Sequence, residues 1–171
     1  MKYLLLLCVF FSTSLYANEL KGSWVTCDSE GPKYHYEHFI QFDKNNIEFE
    51  MHIIHRASKK PCEGEIKIGF SRYWHYEIDG DKFKSTLFDT FALIFHKSMI
   101  DIFNEKKICG INKWKVEEKV DCTNQKMGGF ELPMGHKSEH RFHLKGDILE
   151  VTDDEGDTSL YTKDLEYSLS K

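Results

Sequence analysis

The sequence has no excess of positive charge. Its 171 residues include 28 Asp and Glu against 23 Lys and Arg, which is a formal net charge of −5 with histidine neutral. A protein that binds nucleic acid needs a basic face that neutralises phosphates. The Lys59-Lys60 and Lys106-Lys107 pairs are too short to form one and are typical of solvated turns. We therefore expect no nucleic-acid partner.

The sequence also lacks an apolar run that could cross a bilayer, because a transmembrane helix needs about 20 apolar residues. The run at residues 3–11 is shorter than that. With Lys2 before it and Ala17 after a short polar stretch, residues 1–17 have the layout of a secretory signal peptide. We expect no membrane span, a periplasmic or secreted location, and a mature chain of residues 18–171 that forms one domain.

Motifs for catalysis are missing as well. The chain contains no G-x-S-x-G nucleophile elbow, no H-E-x-x-H zinc motif and no inverse of it. The acidic run at 153–157 lacks the spaced acids and the distal glutamate of a calcium loop, so a charged turn is predicted there. We predict no enzymatic activity, no catalytic residue and no cofactor, although two carboxylates from distant segments could still meet in space.

Histidines are numerous, and six of them form three H-x-x-H pairs. The pairs are His35 and His38, His52 and His55, and His140 and His143. On a strand, residues three apart point to opposite faces, so no single pair is predicted to bind a metal. A site that combines histidines from neighbouring strands stays open.

Four cysteines follow the predicted signal segment: Cys27, Cys62, Cys109 and Cys122. An even number of cysteines in an exported chain indicates disulfides, and four cysteines allow three pairings. We predict Cys27–Cys62, which joins the first strand to a later one, and Cys109–Cys122, which closes a short loop. No two of them have the two-to-four-residue spacing of a zinc knuckle.

Most of the chain consists of short segments in which apolar and polar residues alternate, the pattern of half-buried strands. The segments with this pattern are 34–42, 47–55, 65–78, 83–88, 91–95, 141–145, 148–152 and 159–165. Residues 43–46 and 79–81 have turn composition. Residues 98–107 change to a helical period, which predicts one short helix with Ser98 and Asp101 as its capping pair.

Two motifs resemble a known family. Gly22-x-Trp24 resembles the opening G-x-W of lipocalins and related calycin barrels, and Cys109-Gly110-x-x-x-Trp114 resembles a feature of small exported lipocalin-like bacterial proteins. The resemblance implies that the first and last strands pair and that a cation covers the Trp24 indole, with Lys163 where the family more often has arginine. The expected fold is all-β: an antiparallel up-and-down, lipocalin-like barrel of about eight strands with one short helix and two disulfides.

The alternation assigns one face of each segment to the barrel interior. In 47–55 that face carries Ile47, Phe49, Met51, Ile53 and His55, and the same rule puts Arg72 inside in 65–78. An eight-stranded barrel holds side chains or one small ligand, and aromatic walls with few polar groups suit an apolar or amphipathic molecule. The predicted ligand-binding residues are Tyr36, His38, Phe49, His55, Arg72 and Trp74, with Arg72 as the anchor for a polar end.

A second class of function competes with ligand binding. The long aperiodic segment 123–138 predicts a loop, and extended loops on rigid barrels commonly carry recognition. A protein partner bound through this loop, as in an exported enzyme inhibitor, is therefore the alternative to a small ligand in the lumen. A lumen filled by its own side chains would favour it. We expect a monomer in either case.

Overall fold

The computed structural model describes residues 20–29 and 32–164, which form nine strands and one short helix. The strands are β1 (Gly22–Asp28), β2 (Tyr34–Phe42), β3 (Ile47–Arg56), β4 (Ile66–Asp79), β5 (Lys82–Ile94), β6 (Val120–Asp121), β7 (Lys137–Lys145), β8 (Ile148–Thr152) and β9 (Thr158–Lys163). Helix α1 is Ile100–Lys106 and follows a 3₁₀ turn at Lys97–Met99. The predicted signal peptide lies outside the described residues, as does residue 165.

Eight of these strands close into a barrel in which every neighbour is antiparallel. The order around the barrel is β1, β2, β3, β4, β5, β7, β8 and β9, and β9 pairs back with β1. The two-residue strand β6 pairs with Phe91 and Ala92, near the C-terminal end of β5. The predicted fold class is thereby confirmed. Three strand assignments differ. The two predicted strands at 83–88 and 91–95 are the single strand β5, β6 was not predicted, and β7 begins at Lys137, inside the predicted loop 123–138.

Acidic side chains shape the turns between strands. Asp43 Oδ1 accepts hydrogen bonds from the backbone N–H groups of Asn45 at 2.7 Å and Ile47 at 2.8 Å. Asp153 organises the β8–β9 turn in the same way, which explains the acidic run there without an ion. Gly80 has φ +66° in the β4–β5 hairpin, a conformation that favours glycine.

One end of the barrel is filled by the tryptophan cluster, a set of buried side chains around Trp24. Its members are Leu20, Trp24, Ile40, Phe42, Tyr76, Phe83, Phe142, Leu149, Val151 and Tyr161. The Trp24 side chain is fully buried, and its Nε1 donates to the Leu20 carbonyl at 2.9 Å. Lys163 is the Cα partner of Trp24 on β9, and its Nζ lies 5.6 Å from the indole centroid, as the family resemblance implied.

The other end is covered by the helix-side cluster, which α1 and the following turn pack onto the barrel. Its members are Ile68, Phe70, Ala92, Ile94, Phe103, Ile108, Cys109, Trp114, Cys122 and Met127. Phe103 meets Trp114 edge-on at 5.1 Å. The predicted Ser98 and Asp101 cap is wrong: His96 Nδ1 instead accepts from the Ser98 backbone N–H, and α1 begins without a side-chain cap.

Both predicted disulfides are confirmed. Cys27–Cys62 joins the end of β1 to the turn before β4, and Cys109–Cys122 joins the turn after α1 to the first residue after β6. Disulfides are typical of proteins outside the reducing cytoplasm.

Strand β3 turns the opposite face to the lumen from the one that its alternation predicted. Trp24 pairs with Ile40, Ile40 with Glu50, and Glu50 with Arg72. Paired residues of antiparallel strands share a face, so Glu50 points inward with Trp24. The inner residues of β3 are therefore Glu48, Glu50, His52 and Ile54. Phe49 and His55 point outward, which corrects their predicted place in the ligand site.

The reason for this inversion lies on both faces of β3. The lumen contains Arg72 and His38, and a cation inside the barrel needs an anionic partner, which the glutamate face of β3 supplies through Glu50. Outside, Phe49 packs against Phe39 at 6.2 Å and Tyr73 at 5.0 Å, so the apolar face of β3 is half-buried by its sheet neighbours. Alternation alone does not distinguish these two arrangements.

Candidate functional site in the barrel lumen

Polar side chains from four strands meet inside the barrel, between the two apolar clusters. This lumenal polar cluster consists of His38, Glu50, His52, Arg72, Trp74 and Tyr161. Along β4, Arg72 lies between Tyr76 of the tryptophan cluster and Phe70 of the helix-side cluster. The barrel therefore has a charged layer at mid-height.

The Glu50 carboxylate is the centre of the cluster. Its Oε1 lies 3.0 Å from His38 Nε2 and 2.9 Å from His52 Nε2. Its Oε2 accepts a hydrogen bond from Trp74 Nε1 at 3.0 Å and faces Arg72 Nη1 at 3.5 Å. Each oxygen therefore faces a different pair of side chains.

The two histidines are placed by strand register. His38 and His52 are directly opposite Cα partners on β2 and β3, and their rings stack at 4.0 Å between centroids with 13° between planes. Glu50 precedes His52 by two residues and so shares its face. Behind His38, the Tyr161 hydroxyl from β9 lies 2.7 Å from Nδ1 and holds the ring.

Burial and charge set the protonation of these groups. Burial raises the pKa of the Glu50 carboxyl, but the adjacent His52 and the hydrogen bonds from both histidines outweigh it and hold the pKa well below its usual range. Burial, together with the neighbouring His52, lowers the pKa of His38. Glu50 is thus an anion at neutral pH and His38 is uncharged.

A second glutamate lies one step further toward the Trp24 end. Glu48 is 6% exposed and accepts a hydrogen bond from the Ser85 hydroxyl. Burial, reinforced by the charge of Glu50, raises its pKa to about 8. The two inward glutamates of β3 therefore carry different charges at neutral pH, because Glu50 has cationic and N–H partners, whereas the partner of Glu48 among the described residues is the neutral Ser85 hydroxyl.

Arg72 connects the cluster to the long loop. Its Nη2 donates to the Phe130 carbonyl at 2.9 Å, while its Nε is buried and has no hydrogen-bond partner within the described part of the chain. Thr90 on β5 is the Cα partner of Arg72. Among residues 20–29 and 32–164, the Thr90 hydroxyl and His140 Nδ1 are also buried without a hydrogen-bond partner. Unpaired buried polar atoms are costly and commonly indicate a missing partner.

The β6–β7 loop, residues 122–136, packs over this side of the lumen. The Phe130 ring stacks on Phe70 at 5.0 Å between centroids. Glu131 Oε2 accepts hydrogen bonds from the backbone N–H groups of Met127 and Gly129, and Asn124 accepts one from Met134 N–H. The loop is braced, yet Phe130 is 46% and Met134 57% exposed.

Three of the six predicted ligand residues, His38, Arg72 and Trp74, belong to the cluster. Tyr36 shares the inner face of β2 but is 43% exposed. His55, which points outward, hydrogen-bonds Glu37 at 2.7 Å and the Gly64 carbonyl at 3.0 Å beside the Cys27–Cys62 disulfide.

Sequence reasoning missed four members of the site and its surroundings: Glu48, Glu50, His52 and Tyr161. The signal for three of them was the polar face of β3, which the alternation rule assigned to solvent. Tyr161 carried no signal of its own, because only barrel closure brings β9 near β2.

Within the described residues, two groups of three side chains bring metal-ligating atoms within 4.8 Å of one another. One is His38, Glu50 and His52 in the lumen. The other is Glu37, His55 and Cys62, but Cys62 Sγ is bonded to Cys27. Only the lumenal group therefore has all three ligand atoms free of a covalent partner.

Neither a family model nor a curated protein matches this chain by sequence. In the part of the chain that the structure describes, no helix has the length and hydropathy to cross a membrane. The class that fold and site define is a closed eight-stranded antiparallel β-barrel with a partly buried polar cluster in its lumen. This architecture is consistent with a lipocalin-like fold.

Proposed function

We propose that this protein is an exported, lipocalin-like binding protein that holds a small apolar or amphipathic molecule in the barrel lumen. Small-molecule sites combine apolar walls, which drive burial, with a few convergent polar groups, which orient the ligand. The polar layer supplies such convergent groups, and the two apolar clusters lie on either side of it. The signal-like layout of residues 1–17 and the two disulfides support export.

The observation that carries this proposal is the incomplete pairing of Arg72. Its Nη1 faces Glu50 and its Nη2 is bonded to a loop carbonyl, while Nε lacks a partner in the described structure. A ligand with a carboxylate, phosphate or carbonyl oxygen would satisfy Nε. Because the Phe130 carbonyl is held on the same guanidinium, the loop covers the place where such a group would bind.

Native mass spectrometry of the protein purified from its own host tests the proposal. We expect a bound small molecule that dissociates on denaturation. Arg72→Met keeps the aliphatic stem and should weaken rebinding of that molecule at least about 10-fold, because a charge-assisted hydrogen bond contributes about 1.5 to 3 kcal/mol.

The matched control is Lys84→Met, which removes an exposed cation from the outer face of β5 and should bind as the parent does. A host-purified protein that carries no small molecule contradicts lumenal binding. Unchanged rebinding by Arg72→Met contradicts the anchoring role.

A protein partner bound through the β6–β7 loop is the second candidate. It is favoured by the exposed Phe130 and Met134 side chains on a loop whose backbone is braced by hydrogen bonds. A rigid loop with exposed apolar side chains loses little entropy on docking.

A photo-crosslinking residue at position 134, compared with one at the equally exposed Leu160 of β9, tests this candidate in the exporting host. A single crosslinked protein at position 134 and none at position 160 supports loop docking. Equal crosslinking at both positions contradicts it, as does none at either.

A further inference from the structure

We propose that His38, Glu50 and His52 form a binding site for a divalent first-row transition-metal ion such as Zn²⁺. The proposal goes beyond small-molecule binding and uses three atoms: His38 Nε2, His52 Nε2 and Glu50 Oε1. Both nitrogens already converge on the same carboxylate oxygen, at 3.0 and 2.9 Å, and all three lie within 4.8 Å of one another. Such convergence is what a three-ligand site requires.

The backbone that carries these ligands is rigid. β2 and β3 are interior strands of a closed barrel, each paired along its length on both sides. His38 and His52 are directly opposite in that register, and Glu50 follows the same inner face. The three ligand side chains are therefore carried by the sheet, and a site built on strands is positioned more precisely than one built on loops.

The neighbours of the three ligands bond them as the outer partners of metal ligands do. Metal-bound histidines usually bond a partner through their other ring nitrogen, and ligating carboxylates are themselves hydrogen-bonded. Here Tyr161 is bonded to His38 Nδ1 at 2.7 Å. Trp74 Nε1 binds Glu50 Oε2 at 3.0 Å, so Oε1 is left for the ion.

The donor set indicates the class of metal. Two imidazoles and one carboxylate suit Zn²⁺ and neighbouring ions such as Co²⁺, whereas Mg²⁺ and Ca²⁺ prefer sites made of oxygen. The imidazoles stack in this structure, so shared coordination requires one ring to rotate. Three protein ligands leave a coordination position open, and the adjacent Arg72 favours an anionic group there.

The ion also has an access route. The side chain of His52 is 36% exposed, against 23% for His38 and 13% for Glu50. A site that is partly exposed on one ligand can load without opening the barrel.

Titration of untagged, chelator-treated protein with Co²⁺ by visible absorption, and with Zn²⁺ by calorimetry, tests the site. We expect one ion per chain. His52→Gln and Glu50→Gln should each weaken binding by more than about 100-fold, because they remove ligands, and Tyr161→Phe by about 10- to 100-fold, because it removes an outer partner. His143→Gln, which changes an exposed histidine on β7, is the control and should bind as the parent does.

Thermal melting of each variant establishes that it is folded. If Glu50→Gln does not fold, the comparison of the parent with His52→Gln decides the outcome. Failure of the parent protein to bind either ion tighter than the His52→Gln variant overturns the proposal, as does equal weakening by His143→Gln. The titration uses the metal alone, so its failure leaves the small-molecule proposal untouched. Conversely, Arg72→Met retains all three metal ligands, so the small-molecule test does not remove the proposed metal site.

Discussion

Replacing Glu48 by glutamine should remove a pH dependence from the stability of the barrel. Glu48 is 6% exposed and lies next to the Glu50 anion. When ionised, Glu48 also raises the pKa of the Tyr76 and Tyr161 phenols. Burial raises its pKa in the folded protein to about 8, against an ordinary value of 4.5. Between these two values the folded chain holds a proton that the unfolded chain has released.

The sign of the effect follows from this difference in bound protons. Because the folded state binds more protons, the free energy of unfolding falls as pH rises from about 4.5 to about 8. Each pH unit in that window costs about 1.4 kcal/mol, so the loss is about 2 kcal/mol at pH 6 and approaches about 5 kcal/mol at pH 8. Glutamine cannot ionise, so Glu48→Gln should become more stable than the parent as pH rises.

Urea unfolding at pH 5, 6, 7 and 8, with a chelator present and disulfides intact, measures the difference between the two proteins. Groups whose pKa does not depend on Glu48, including His38 with its opposite sign, titrate alike in both proteins, so their contributions cancel. Glu150→Gln changes an exposed glutamate of β8 and should leave the parent slope unchanged. A Glu48→Gln slope equal to that of the parent would refute a neutral, buried Glu48.

Three further predictions follow from the packing. Trp24→Ala should lower the free energy of unfolding by about 3 to 5 kcal/mol, because it empties a fully buried site. Lys163→Met should lower it by about 1 kcal/mol or less. Equal losses for the two variants in urea titrations would contradict the packing argument. Replacing Cys27 and Cys62 together by serine should cost about 3 to 4 kcal/mol in the same assay, and no loss would show that the link is dispensable. Phe49→Ser should leave Co²⁺ affinity unchanged, and a loss like that of His52→Gln would place the ring in the lumen.

Local sequence patterns determined the parts of this protein that depend on neighbours in the chain. Alternation located most strands, because side chains of a strand point in turn to opposite faces. Turn composition located the hairpins, as at Asp43 and Gly80. The even cysteine count, with spacing along the chain, indicated Cys27–Cys62 and Cys109–Cys122, and the G-x-W motif indicated the Trp24 and Lys163 pair.

Tertiary structure alone decided which face of β3 is inside, and with it the composition of the site. The alternation of β3 fits either face pointing inward, and a shift of one residue in register exchanges the two faces. The choice depends on the partners across the sheet, since Arg72 needs an inward anion, His38 bonds the same carboxylate, and Phe49 packs against aromatic neighbours outside. Closure of β9 onto β1 then brings Tyr161 to His38, which are 123 residues apart in the chain. No local pattern encodes such a contact, because it depends on the pairing of strands that meet only in the folded barrel.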